Sequence, residues 1–182
     1  MKEKAESSGS RKVRRVLEEA HTLDEAIQIF KTSKRTCEYY YVLADAKINS
    51  AVGLEGSADW FTVVQAGESH PELPTPIPHT VLLSQGNRYK NLCSVTQAVL
   101  NEHEKFSVER AIRLMDAPVA MKSNLHNVLF APGLGKLWVA NASSDKKPAW
   151  SQKYNEFDFR ALLDQPFPMT GKEYPLEHLS KK

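Results

Sequence analysis

The stretch from Ser123 to Ala142 constrains the chain most. It reads Ser-Asn-Leu-His-Asn-Val-Leu-Phe-Ala-Pro-Gly-Leu-Gly-Lys-Leu-Trp-Val-Ala-Asn-Ala. Two apolar, β-branched-rich runs of strand length, Leu125 to Ala131 and Leu137 to Ala142, flank the breaker Pro132-Gly133-Leu134-Gly135, the signature of a β-hairpin. Side chains alternate along a strand, so His126, Val128 and Phe130 point one way and Asn127 and Leu129 the other. Neither run alternates cleanly between polar and apolar. That pattern predicts strands covered on both faces, in the middle of a layered fold.

With 182 residues the chain can bury the core of one domain of ordinary size. A hydrophobic fraction of 41% and a charged fraction of 25% are those of a soluble globular protein. A formal charge of +2 gives no reason to expect nucleic acid or an anionic membrane as partner. No apolar run is long enough to span a bilayer. Met1 to Arg15 is polar and charged with no apolar segment of the secretory type. This fits a cytoplasmic protein, or a chain whose true N-terminus lies further upstream, and it leaves the compartment unassigned. Cys37 and Cys93 form neither a metal-type pair nor a disulfide framework, and buried free thiols are expected rather than a single bridge.

Taken in order, residues 1–10 read as a disordered polar leader, 11–163 as the folded domain and 164–182 as an irregular, proline-bearing tail. Val13, Val16, Leu17 and Ala20 have helical spacing, with Arg11, Lys12, Arg14 and Arg15 as the wet face. Thr22 followed by Glu25 has the form of a capping box opening a second helix, on which Leu23, Ala26, Ile27 and Phe30 make one stripe. Cys37 to Leu43, Ser50 to Glu55 and Trp60 to Gln65 are predicted strands of an antiparallel meander, its tyrosines serving as core or cross-strand pairs. Glu68 to Pro78, with four prolines, is predicted as an extended surface loop. Thr80 to Ser84 is predicted as a strand. Helices should follow from Arg88, with Leu92, Val95 and Val99 on one side, and from a Ser107 cap, closing at Asp116-Ala117-Pro118. Tyr154 to Leu163 reads as a short strand or helix.

No glycine-rich phosphate loop precedes a helix, no Gly-x-Ser-x-Gly elbow occurs, and His21, His70, His79, His103, His126 and His178 have no metal-ligand spacing. No cofactor is expected. His126 reads as a satisfied histidine in or beside the sheet, and either cysteine would react only where its surroundings lower its pKa.

The order of these pieces resembles a known family. A helix around Thr22-Leu-Asp-Glu-Ala-Ile is followed by a meander ending in Gly53-Leu54-Glu55, then by Thr80-Val-Leu-Leu-Ser, Arg88-Tyr89 with a helix, and the hairpin of Ser123-Asn-Leu-His-Asn-Val-Leu-Phe-Ala-Pro and Leu137-Trp-Val-Ala. From Val13 to Leu163 the set is similar to the C-terminal half of the acyl-CoA:6-aminopenicillanic acid acyltransferase family. These are cysteine N-terminal-nucleophile (Ntn) hydrolases related to carcinine hydrolase.

The resemblance implies an α+β fold, part of an αββα sandwich of antiparallel sheets without its N-terminal half. It also implies hydrolysis or transfer of an amide-linked acyl group by a cysteine freed at a new N-terminus, its α-amino group acting as base. In that family the cysteine precedes the region matched here, and neither Cys37 nor Cys93 lies at its place. The resemblance thus implies a fragment or subunit that is inactive alone. It implies Asn87 as a candidate oxyanion donor, whose alternative is a plain turn asparagine. Asn124 and His126 are weaker candidates, read otherwise as hairpin-end hydrogen bonding. The partners implied are a small acyl-amide substrate and either an N-terminal-half polypeptide or a second copy, the alternative function being a non-catalytic interaction subunit. Half a sandwich should leave one sheet face bare and an apolar patch exposed.

Overall fold

The computed structural model describes residues 9–35, 38–70, 75–102 and 106–165. They form an α+β fold containing two antiparallel three-stranded sheets that share no ladder. Most of the predicted leader and tail, together with Cys37, lies outside the described residues.

Helix α1, Gly9–Glu19, begins two residues inside the predicted leader. Its basic face is wet, with Arg14 and Arg15 paired to Glu18 and Glu19 one turn on. The predicted apolar stripe is only partly used. Val16 packs on the core, but Leu17 is 80% exposed while Lys12 is buried, so the inward face is rotated from the one its valines and leucine suggest. Helix α2, Leu23–Thr32, opens as expected: Thr22 Oγ1 accepts from Glu25 N at 3.2 Å. The Glu25 carboxylate reaches back one residue further than the usual box, to His21 N.

Strands β1 (Tyr39–Asp45), β2 (Ser50–Gly56) and β3 (Phe61–Gln65) form the predicted meander. On one face Val52 and Leu54 bury against Phe30 of α2, with Ile27, Tyr41, Leu43 and Val63 around them. The rings of Phe30 and Tyr41 meet at 4.6 Å. Arg35 closes the end of this layer: its guanidinium donates to Phe30 O and Ser57 O and lies 5.1 Å over Phe61.

The other face is covered by a segment expected to be a strand. Residues 80–84 are not one. Both neighbours of β2 are already taken, and Val81 and Leu83 lie across the sheet at Gly53, where even a Cβ would come within 2.8 Å of Val81 and 3.0 Å of Leu83. The apolar residues that suggested a strand are consumed by face packing rather than by a ladder. Nor does the proline loop stay on the surface, because Ile77 is buried.

Helix α3, Gly86–Glu102, buries Tyr89, Cys93 and Thr96. The expected stripe of Leu92, Val95 and Val99 is displaced to its half-buried flank. Tyr89 centres the helix by both donating to and accepting from the Thr75 backbone at 3.1 Å. Helix α4, Val108–Arg113, is capped by Ser107 as predicted, and Asn91 of α3 donates to Pro118 O beyond its end.

The hairpin forms in the predicted register region as β4 (His126–Ala131) and β5 (Lys136–Asn141). A 3-10 turn over Pro132–Leu134 and left-handed Gly135 (φ 65°) join them. At Gly135 a side chain would be strained and would strike Arg160. Residues 154–163 are both of the expected alternatives in turn, strand β6 (Asn155–Asp158) and helix α5 (Phe159–Leu163), with Asp158 capping the helix.

The expectation that the hairpin is covered on both faces is overturned. Val128 and Phe130 are exposed, while Asn127, just before them on the opposite face, is buried. One face carries Trp138 and Ala140 beneath the 3-10 turn Ala149–Ser151; among the described residues no element covers the other.

Candidate functional site

Asn87 is the second residue of α3 and is exposed, on the first turn after Gly86. Cys93 is on the same helix but buried. At 100° per residue the six positions between them turn the two side chains about 120° apart. They do not converge on a common point: the thiol faces Tyr89, whose phenol is pushed up by burial and then by contact with Cys93.

Asn124 and His126 have structural work. Asn124 Nδ2 donates to His126 O and to Asn127 Oδ1, both at 3.0 Å, and its Oδ1 accepts from Trp150 N at 3.1 Å. His126 Nδ1 lies 2.9 Å from Asn141 Oδ1 on the neighbouring strand. These are the hairpin-end hydrogen bonds of the alternative reading.

Around them is a polar nest that sequence reasoning missed. Asn127 Nδ2 donates to Met115 O at 3.3 Å. Burial pushes the Asp116 carboxyl above its ordinary range, against the pull of Arg113. Burial likewise raises the Tyr154 phenol, which Asp116 raises further and contact with Asn127 opposes. The partners come from three separate stretches, so no local spacing betrays them. The nest holds polar groups and a carboxyl but no nucleophile.

A second buried polar site lies on the first sheet. Glu55 of β2 is fully buried, with its Oε2 3.1 Å from His70 Nδ1. A carboxylate this deep is held by partners, since an unpaired charge there would cost several kcal/mol. An open cleft of about 630 Å³ lies between the β1–β2 turn and the hairpin turn, lined by Asp45, Asn49, Gln65, His79, Val81 and Pro132 among others. Asn49 and His79 have positive φ there, 49° and 58°. The cleft has the volume of a small-molecule site and mixed polarity; Ser50 and His79 both line it, but no hydrogen bond joins them, and it contains no cysteine and no cationic cluster. Its one carboxylate, Asp45, already accepts from Lys47 N.

Among the described residues no cluster of histidine, cysteine and carboxylate side chains could hold a metal ion. No helix among them is long and apolar enough to cross a membrane. Comparison with protein-family models, with curated proteins and with solved structures returns no match.

Proposed function

We propose that these elements are one portion of an Ntn-hydrolase-like sandwich acting on amide-linked acyl groups, and that this chain turns over no substrate by itself. The observation that supports the reading is the plan of the fold. Two separate antiparallel sheets follow one another in the chain, the first carrying a helix pair on one face, in the order that the resemblance to the acyltransferase family implies. The chemistry such a fold performs needs a thiolate beside a free α-amino group. Cys93, buried inside α3, supplies neither exposure nor that amine. Asn87, exposed at the start of the same helix, remains the candidate to donate a hydrogen bond to an oxyanion once a nucleophile is brought to it.

The test has two arms. The purified chain is expected to leave acyl-amide substrates intact; turnover that disappears on Cys93→Ala or Cys37→Ala contradicts the proposal. Supplying in trans an N-terminal portion bearing a cysteine at its processed N-terminus should restore hydrolysis and make it sensitive to Asn87→Ala. A mixture that neither associates nor reacts counts against it.

A second reading, a non-catalytic interaction chain, is favoured by a different observation: the apolar face of the second sheet, which no element among the described residues covers.

A further inference from the structure

The first sheet is packed unevenly along one face. At Gly53 that face carries Val81 and Leu83, and further along Glu55 meets His70. Side chains alternate along a strand, so toward the β1–β2 turn the next ladder pair on the same face is Ala44 with Ala51. Both line the open cleft of about 630 Å³ that Pro132 of the hairpin turn lines as well. A ladder pair of alanines leaves room there that a pair of valines or leucines would fill.

The polar groups around this hollow are unbalanced in charge. Asp45, Asn49, Gln65 and His79 line it, and among the described residues no lysine or arginine does. With histidine counted as neutral, the one formal charge in that lining is the carboxylate of Asp45. Its Oδ1 accepts from Lys47 N at 2.8 Å. The ammonium of Lys47 does not turn back to it but donates to His21 O at 3.1 Å. Among the described residues no cationic side chain pairs with Asp45, and Oδ2 keeps its capacity to accept.

From this we infer that the cleft binds a small primary amine, an ammonium group on a short aliphatic body. The inference goes beyond the acyl-amide reading and does not depend on it. An ammonium has three donors and no acceptor. The cleft offers it a carboxylate oxygen and two side-chain amides that can turn a carbonyl toward it, with the alanine floor for the aliphatic body. The other ligand chemistries fit worse. A carboxylate or phosphate would meet Asp45 with no cation to offset the repulsion. A quaternary ammonium has no N–H to donate and is held by aromatic faces, and no phenylalanine, tyrosine or tryptophan lines the cleft. A wholly apolar ligand would strip water from Asp45, Asn49 and Gln65 and return no hydrogen bond. The site is open, so its ion pair is screened by solvent and the complex is weak, millimolar rather than micromolar.

Titration of the full chain with n-butylamine, followed by its backbone amide NMR signals at constant ionic strength, tests this. The neutral n-butanol and the anionic butyrate serve as probes of matched length. Butylamine should shift the signals of Asp45, Asn49 and Gln65 and saturate in the millimolar range, and neither of the other two should saturate there. Asp45→Asn keeps the shape of the side chain and an acceptor for Lys47 N while removing the charge, and it should weaken butylamine about tenfold. Ala51→Leu, which fills the floor, should abolish saturation; if it does not fold, Asp45→Asn decides. Asp145→Asn, which removes a carboxylate paired to Lys147 away from the cleft, should leave binding as it is. Three results overturn the inference: no saturable shift at these residues, butylamine binding indifferent to Asp45→Asn, or n-butanol or butyrate saturating the same signals as well as the amine does.

Discussion

The two sheets have the same plan, three antiparallel strands in sequential order, and opposite fates. In the first, the central strand β2 is closed on both sides: Leu54 is fully buried under the helix pair, and Gly53 is pressed by Val81 and Leu83 from behind. In the second, the described residues close β5 on the Trp138 and Ala140 side alone. The difference is traced to one residue choice and to where the neighbouring segments dock. A glycine in β2 lets an irregular segment lie directly on the backbone, which a strand with side chains at that position would hold away. The second sheet has no glycine on its outer face, and among the described residues its neighbours dock on the inner one, where Ala149 and the Asn124 network lie. Equal topology thus does not mean equal burial; cover is decided by which side chains leave room for it.

The comparison can be broken most sharply by truncating one phenylalanine in each region. Phe30→Ala, beneath the closed sheet and 1% exposed, should cost about 3–5 kcal/mol in urea unfolding. Phe130→Ala on the open face should cost under about 0.5 kcal/mol at dilute concentration. Similar losses for the two would mean that the second face is closed as well.

Next in size is the close approach at Gly53. Gly53→Val should destabilise by about 1–3 kcal/mol through overpacking, and part of the loss should return when Val81→Ala is added. Additive effects in the double-mutant cycle would mean that residues 80–84 do not lie on β2.

On the covered side of the second sheet, Asn124→Ala strips partners from Asn127 Oδ1 and Trp150 N. The expected cost is about 1–3 kcal/mol, the desolvation of groups left unpaired. A neutral result would remove the Asn124 network as the reason this face is closed.

The smallest effect belongs to Asp116, and it depends on pH. Its carboxyl is raised by burial, so the folded state holds that proton more tightly than the unfolded chain does, and ionisation works against folding as pH rises through the carboxylate range. Asp116→Asn should match the wild type in acid and be the more stable at neutral pH. A variant less stable at neutral pH would mean that the charge is used by the nest rather than merely tolerated.

What could be read from the sequence follows the distance over which each feature is determined. The Thr22–Glu25 cap, the meander and the hairpin around Pro132-Gly133-Leu134-Gly135 are local, and they stand where the residues place them. Val81 and Leu83 were legible as apolar but not as face-packing, because strand and irregular cover use the same residues and only Gly53, far upstream, distinguishes them. The open face is hidden by the same ambiguity: Val128 and Phe130 in an apolar run look like core, and exposure depends on what else the fold has left to cover them.

For the candidate site, Asn87, Asn124 and His126 could be named from their surroundings in the chain. That Asn124 is consumed by hydrogen bonds, that Asp116, Asn127 and Tyr154 gather beneath the hairpin, and that Glu55 is buried against His70 arise from contacts between distant stretches.

The contrast between a closed and an open sheet is tested most directly by thiol labelling, read peptide by peptide by mass spectrometry, of Val52→Cys in β2 and Val128→Cys in β4. Position 128 should label rapidly and position 52 slowly. Equal protection of the two positions would mean that the chain covers its own second sheet on both faces, and that result contradicts the account.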